Sequence, residues 1–171
     1  DSVASRGLGD VYKRQAKNNT FVSCDFANNP KGFVIYGAAT GSAAQCTLIG
    51  CIWEDCTTYC IDVNTAGTST PYYPVLNVIG GRMYNSGLGG SIAINAVIWN
   101  QINIIGTESN FAKFVDTTSG AGNYGPIYIQ GVKLAAGNIK LSGNQNVLRS
   151  CDETSTAIPN ASMSNSWIND P

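Results

Sequence analysis

Four side chains are candidates for acid–base work: Asp25, Glu54, Asp55 and Glu108. Paired carboxyl groups act on a sugar–sugar bond when they face each other across about 5–9 Å. Glu54 with Asp25 or Glu108 is the pairing to consider, because the neighbours Glu54 and Asp55 diverge along an extended chain. Tyr72 and Tyr73, between two prolines in the loop NTAGTSTPYYP (64–74), are paired aromatics suited to stacking on apolar sugar faces. Trp99 and the cation Arg82 join them as candidate carbohydrate contacts, the alternative being that the rings fold back over the core. The chain has no histidine, which excludes His-based triads, His metal sites and imidazole acid–base chemistry. Cys51, Cys56 and Cys60 show neither a CxxC pair nor a histidine partner, so no metal and no cofactor is expected. The six cysteines, Cys24, Cys46, Cys51, Cys56, Cys60 and Cys151, read mainly as buried thiols, with one disulfide as the alternative.

The 171 residues suffice for one domain with a sizeable core. Only 12% are charged and the formal net charge is -1, so a basic nucleic-acid binder is excluded. No run of 18 apolar residues occurs, so no membrane insertion through a helix is expected.

What must position the candidates is a repeat. Five segments align without gaps: TFVSCDF (20–26), TLIGCIW (47–53), NVIGGRM (77–83), NIIGTES (103–109) and YIQGVKL (128–134). A weaker copy, NVLRSC, follows at 146–151. A second apolar strip follows each full copy: FVIYG, CIDVN, SIAIN, KFVDT and NIKLS. The strips are short, rich in β-branched and aromatic residues, and bounded by Gly, Asn, Ser or Thr, which is strand chemistry. Strands recurring every 25–30 residues suit a coil whose turns stack at about 4.8 Å, so that equivalent positions become ladders.

The columns can then be assigned to faces. Phe21, Leu48, Val78, Ile104 and Ile129 point inward, as do the columns running from Cys24 and from Phe26. Ser23, Gly50, Gly80, Gly106 and Gly131 form a column of small residues where the chain bends. Val22, Ile49, Ile79, Ile105 and Gln130 point outward, although four of the five are aliphatic. Such a stripe asks for cover by a loop or by another chain, unless the register slips by one and the faces swap. Arg82, Glu108 and Lys133 fall in one outward column, which reads foremost as a surface charge ladder. Asn28, Asp55 and Asn85 read as a polar turn ladder.

These segments resemble the right-handed parallel β-helix of the pectate-lyase-like superfamily, and in style its phage tailspike and tail-fibre branch. The likeness covers about residues 18–151 and is carried by the strand–Gly/Asn–Cys–x–aromatic turn. It implies an all-β, right-handed parallel β-helix of about five to six turns that engages polysaccharide, on a virion tail or outside the cell. Trimers of such helices bury outward stripes, so a homotrimer is expected. The superfamily's Gly-His-Gly and clustered-Asp signatures are missing, so its lyase or hydrolase chemistry does not carry over. An enzyme acting through Asp25, Glu54, Asp55 and Glu108 stays open beside the binding reading, as does a purely structural spacer or adhesin.

The string DSVASRGLGDVYKRQ (1–15) lacks the strip pattern and resembles a translated sequencing adapter at the end of a metagenomic fragment. The expected organisation is therefore an artefactual or disordered arm at 1–17, the β-helix at 18–153 and an irregular tail at 154–171, with truncation there an open alternative.

Overall fold

The computed structural model describes residues 18–37, 45–65, 74–86, 92–117, 125–134, 138–140, 146–149, 152–153 and 167–169. The described elements are all strands. The first coil holds β1 (Asn18–Val22), β2 (Asp25–Ala27) and β3 (Lys31–Gly37), and the second β4 (Gln45–Ile49), β5 (Ile52–Glu54) and β6 (Tyr59–Thr65). Then come β7 (Val75–Ile79), β8 (Arg82–Tyr84) and β9 (Ile92–Ala96), followed by β10 (Gln101–Ile105), β11 (Glu108–Ser109) and β12 (Lys113–Asp116). β13 (Ile127–Gln130), β14 (Lys133–Leu134) and β15 (Asn138–Lys140) make the next coil, with β16 (Val147–Arg149), β17 (Asp152–Glu153) and β18 (Trp167–Asn169) beyond it.

Each strand pairs in parallel with its counterpart one coil away. Sheet A stacks β1, β4, β7, β10, β13, β16 and β18; sheet B stacks β2, β5, β8, β11, β14 and β17; sheet C stacks β3, β6, β9, β12 and β15. The protein is an all-β parallel β-helix. The ladder expected from sequence is present residue for residue: Phe21 pairs with Leu48, Leu48 with Val78, Val78 with Ile104, and Ile104 with Ile129. At the C-terminal end Trp167–Asn169 pairs with Val147–Arg149 and extends sheet A. Its three residues, WIN, are too short to show a period in sequence.

Why the chain turns between sheets A and B is visible in the backbone. Ser23, Gly50, Gly80, Gly106 and Gly131 all take left-handed conformations, with φ between 52° and 64°. Glycine reaches this region without the Cβ clash that costs other residues about 1 kcal/mol or more. The corner is bonded along the axis. The N–H of Gly50 donates to Ile79 O at 2.8 Å and that of Gly80 to Ile105 O at 2.7 Å. Two residues later the direction reverses, and Ile52 N–H donates to Cys24 O at 2.9 Å. The small column is thus the hinge that keeps sheets A and B in register.

The core lies between the three sheets. Leu48, Trp53, Ile61, Leu76, Val78, Met83, Ile94, Ile102, Ile104 and Phe114 are fully enclosed. In the first coil each sheet contributes one phenylalanine: Phe33 meets Phe21 and Phe26 edge-on at 5.1 and 5.7 Å, and Phe26 stacks on Trp53 at 5.4 Å.

The cysteines belong to this core. Cys24, Cys46, Cys51, Cys56 and Cys60 are free thiols, all buried except the half-buried Cys24; Cys151 lies outside the described residues. Burial pushes the Cys46 thiol up to about 12, and burial raises Cys51 as well. Between Cys56 and Cys60 a thiol hydrogen bond holds Cys56 low, while burial first, and then that bond, holds Cys60 high. An unfolded thiol ionises near pH 8.5. Above that pH the unfolded chain sheds protons that folded Cys46 retains, so stability is full below about pH 8.5 and falls towards pH 12. The expected result is a urea midpoint that holds up to about pH 8 and drops by about pH 10. Cys46→Val should remove part of that drop, as urea titrations at the two pH values would show.

Candidate functional site

The outer face of sheet B gathers most of the candidates. Its strands are short, so two outward columns define it. One runs Asp25, Ile52, Arg82, Glu108, Lys133; the other runs Ala27, Glu54, Tyr84. The inward residues between them are Phe26, Trp53, Met83, Ser109 and Leu134, four of them buried and Phe26 half-buried. Strict alternation around these anchors sends their neighbours outward.

Within the face, Arg82 contacts Glu54 through Nη2 and Oε1 at 3.3 Å, with both side chains substantially in water. Its guanidinium also lies 5.9 Å from the centre of the Tyr84 ring. Tyr84 is 43% exposed, so an aromatic face, a cation and a carboxylate are presented together. The expected ladder is present as a register, but its ion pairing is corrected. Arg82 turns to Glu54 diagonally across the face, while Glu108 and Lys133 sit on adjacent rungs and close no ion pair. A flexible glutamate and a flexible lysine in water gain little from pairing.

The candidate carboxylates divide between the face of sheet B and the corner after β5. Glu54 and Glu108 are two rungs and two residues apart, about 12 Å between Cα atoms, whereas Asp25 and Glu54 are one rung and two residues apart, about 8 Å. Asp25 and Glu54 stand on the sheet face, Asp25 exposed and Glu54 tied to Arg82. Asp55 belongs to the corner after β5 instead. It takes φ 51°, donates its N–H to Tyr84 O at 2.9 Å, and accepts from Ser86 N–H at 2.7 Å. Its carboxylate is a turn cap.

Two aromatic expectations resolve differently. Tyr72 and Tyr73 lie outside the described residues. Trp99 is a correction: the ring is fully buried and its Nε1 donates to Gly125 O at 2.9 Å, so no face is left for a sugar. The amide ladder is likewise found elsewhere than expected. Asn28 and Asp55 link successive coils through backbone bonds, and Asn85 exchanges bonds with Asn110. Side-chain amides stack on the outside of sheet A, where Asn77 donates to Thr47 Oγ1 at 3.1 Å and Asn103 to Asn77 Oδ1 at 2.6 Å.

Beside that amide ladder runs the aliphatic one. Val22 is 59% exposed, Ile79 40% and Ile105 43%, and the outward positions of β1, β4, β7, β10 and β13 carry no charge. The faces are therefore assigned as expected, without a register slip.

Sequence reasoning missed two groups. Tyr84 was signalled by its alternation from Met83. The second is a mostly polar column on sheet C, Val34, Asp62, Asn95, Asp116. By alternation it faces away from the core, yet Asp62 is 0% exposed, Asn95 5% and Asp116 9%. Lys31 Nζ reaches Asp62 Oδ2 at 2.6 Å, and Asn95 Nδ2 donates to Asp62 Oδ1 at 2.8 Å. The clamp ties three consecutive coils together. Among the described residues, no three His, Cys, Asp or Glu side chains come together so as to hold a metal ion.

Compared with known family models, with curated proteins and with solved structures, the chain matches none.

Proposed function

We propose that this chain is a polysaccharide-engaging segment of a β-helical surface protein, of the tailspike-like or secreted kind, within the right-handed pectate-lyase-like style of winding. The observation that carries the reading is the exposed Tyr84 ring beside Arg82, which itself pairs with Glu54, on sheet B. An exposed aromatic offers sugar C–H groups an apolar platform, and adjacent charged groups bind the ring hydroxyls and fix their orientation. Location on a virion tail or outside the cell belongs to the same proposal.

We also propose that copies associate as homotrimers through sheet A. The outer face of that sheet, uncharged from β1 to β13 and partly aliphatic, supports this, since the centres of protein interfaces are depleted of charge.

One set of samples tests both. Tyr84→Ala should cut glycan affinity about tenfold and leave the strand signal in circular dichroism intact. Sedimentation of the same protein should return three 18.0 kDa chains. A chain that binds no glycan on a broad panel overturns the binding reading, and a folded monomer overturns the trimer.

A further inference from the structure

We infer that the polysaccharide bound on sheet B carries alternating positive and negative groups along its backbone, and that it lies along the β-helix axis. The inference rests on the reading of Tyr84, Arg82 and Glu54 as a sugar-binding face, and it adds the chemistry of the ligand.

Arg82, Glu108 and Lys133 are consecutive Cα partners on β8, β11 and β14. Charges of opposite sign therefore succeed one another at about 4.8 Å, the rung spacing of a parallel sheet. One hexose advances a glycan chain by a comparable step, so each rung meets about one sugar. The side chains of Arg82, Glu108 and Lys133 are exposed. Glu108 and Lys133 form no ion pair with each other or with any other described residue, so both are available to an incoming ligand.

The sign pattern excludes simpler partners. Asp25, Glu54 and Glu108 outnumber Arg82 and Lys133 on the described face. A polyuronate would meet two cations and three carboxylates and gain nothing in sum. A polycation would be repelled at Arg82 and Lys133. A chain of alternating amino sugar and uronate places an ammonium at Glu108 and carboxylates at Arg82 and Lys133, with Tyr84 under a neighbouring ring.

The probe is N-deacetylated heparosan, an alternating glucuronate–glucosamine polymer, titrated beside polygalacturonate, chitosan and dextran. Each exposed pair is worth at most about a factor of five, so the alternating polymer should bind about tenfold tighter than the other three at low salt. The preference should fade as ionic strength rises. The double variant Glu108→Lys/Lys133→Glu keeps the net charge but breaks the order; it should lose the preference and keep the contribution of Tyr84. Equal binding to dextran, or tighter binding to polygalacturonate, overturns the alternating-charge inference and leaves the sugar-binding reading standing. Binding to none of the four polymers overturns both.

Discussion

Gly81→Ala is expected to unfold the second and third coils, at a cost of about 4 kcal/mol or more. Gly81 occupies the inward column shared with Cys24, Cys51, Thr107 and Val132, yet its φ is +82°. A Cβ added there would lie 2.1 Å from Cys51 O and 3.0 Å from Cys51 N. Those atoms are backbone, and the same carbonyl accepts from Arg82 N–H at 3.0 Å. Relief of the overlap therefore requires the two coils to part, which breaks the ladder on both sides of the corner. The control is Gly106→Ala. Gly106 has φ +64° but nothing within 4 Å of an added Cβ, so it should lose only the left-handed penalty of about 1–2 kcal/mol. Urea denaturation of the two variants separates clash from conformational strain. Equal losses would mean that the coils at Gly81 are not held as closely as described.

The contrast between these glycines marks how far the sequence could be read. The small-residue column was legible because five copies repeat it, and the turn conformation follows from its composition. The role of Gly81 was not, since in its column the other members carry side chains and only the approach of Cys51 O explains the exception. Gly32 is similar: a Cβ there would lie 2.7 Å from Trp53 Cδ1, a contact between coils that no local pattern announces. Sheets A and B were readable residue by residue because their strands follow one another after a fixed two-residue corner. Sheet C was readable only as strips. Its strands are joined to the rest by connections of different lengths, and its register shifts between Lys113 and Val115.

The site was legible to the extent that it is a consequence of alternation. Asp25, Glu54, Arg82 and Glu108 share a face because inward Phe26, Trp53, Met83 and Ser109 oblige them to. Which of them touch is decided by side-chain reach, so Arg82 pairing with Glu54 rather than Glu108 had no signature. Trp99 shows the opposite limit. A tryptophan in a connection has the same letter whether it meets sugar or, as found, donates to Gly125 O inside the fold.

The buried clamp on sheet C gives the second large effect. Lys31→Met should destabilise the protein by about 2–4 kcal/mol, because it strands a carboxylate that has no access to water. Asp62 is 0% exposed and is met on one oxygen by Lys31 at 2.6 Å and on the other by Asn95 at 2.8 Å. Removing the lysine leaves one neutral donor for a full charge. The lysine side chain is itself 38% exposed, so its charge is partly screened by water and the loss stays below that of a fully enclosed pair. The reverse deletion is milder. Asp62→Asn still presents an oxygen to Asn95 Nδ2 and leaves no buried charge, while Lys31 is 38% exposed and 5.4 Å from the Tyr59 ring, so the cost is about 1 kcal/mol. In the double variant the methionine faces no charge, so Lys31→Met/Asp62→Asn should lie within about 1 kcal/mol of Asp62→Asn alone. Urea midpoints for the four proteins close this cycle. Equal losses for the two single variants would mean that the carboxylate is not buried as described, and that sheet C is held by its backbone ladder and aliphatic core without the clamp.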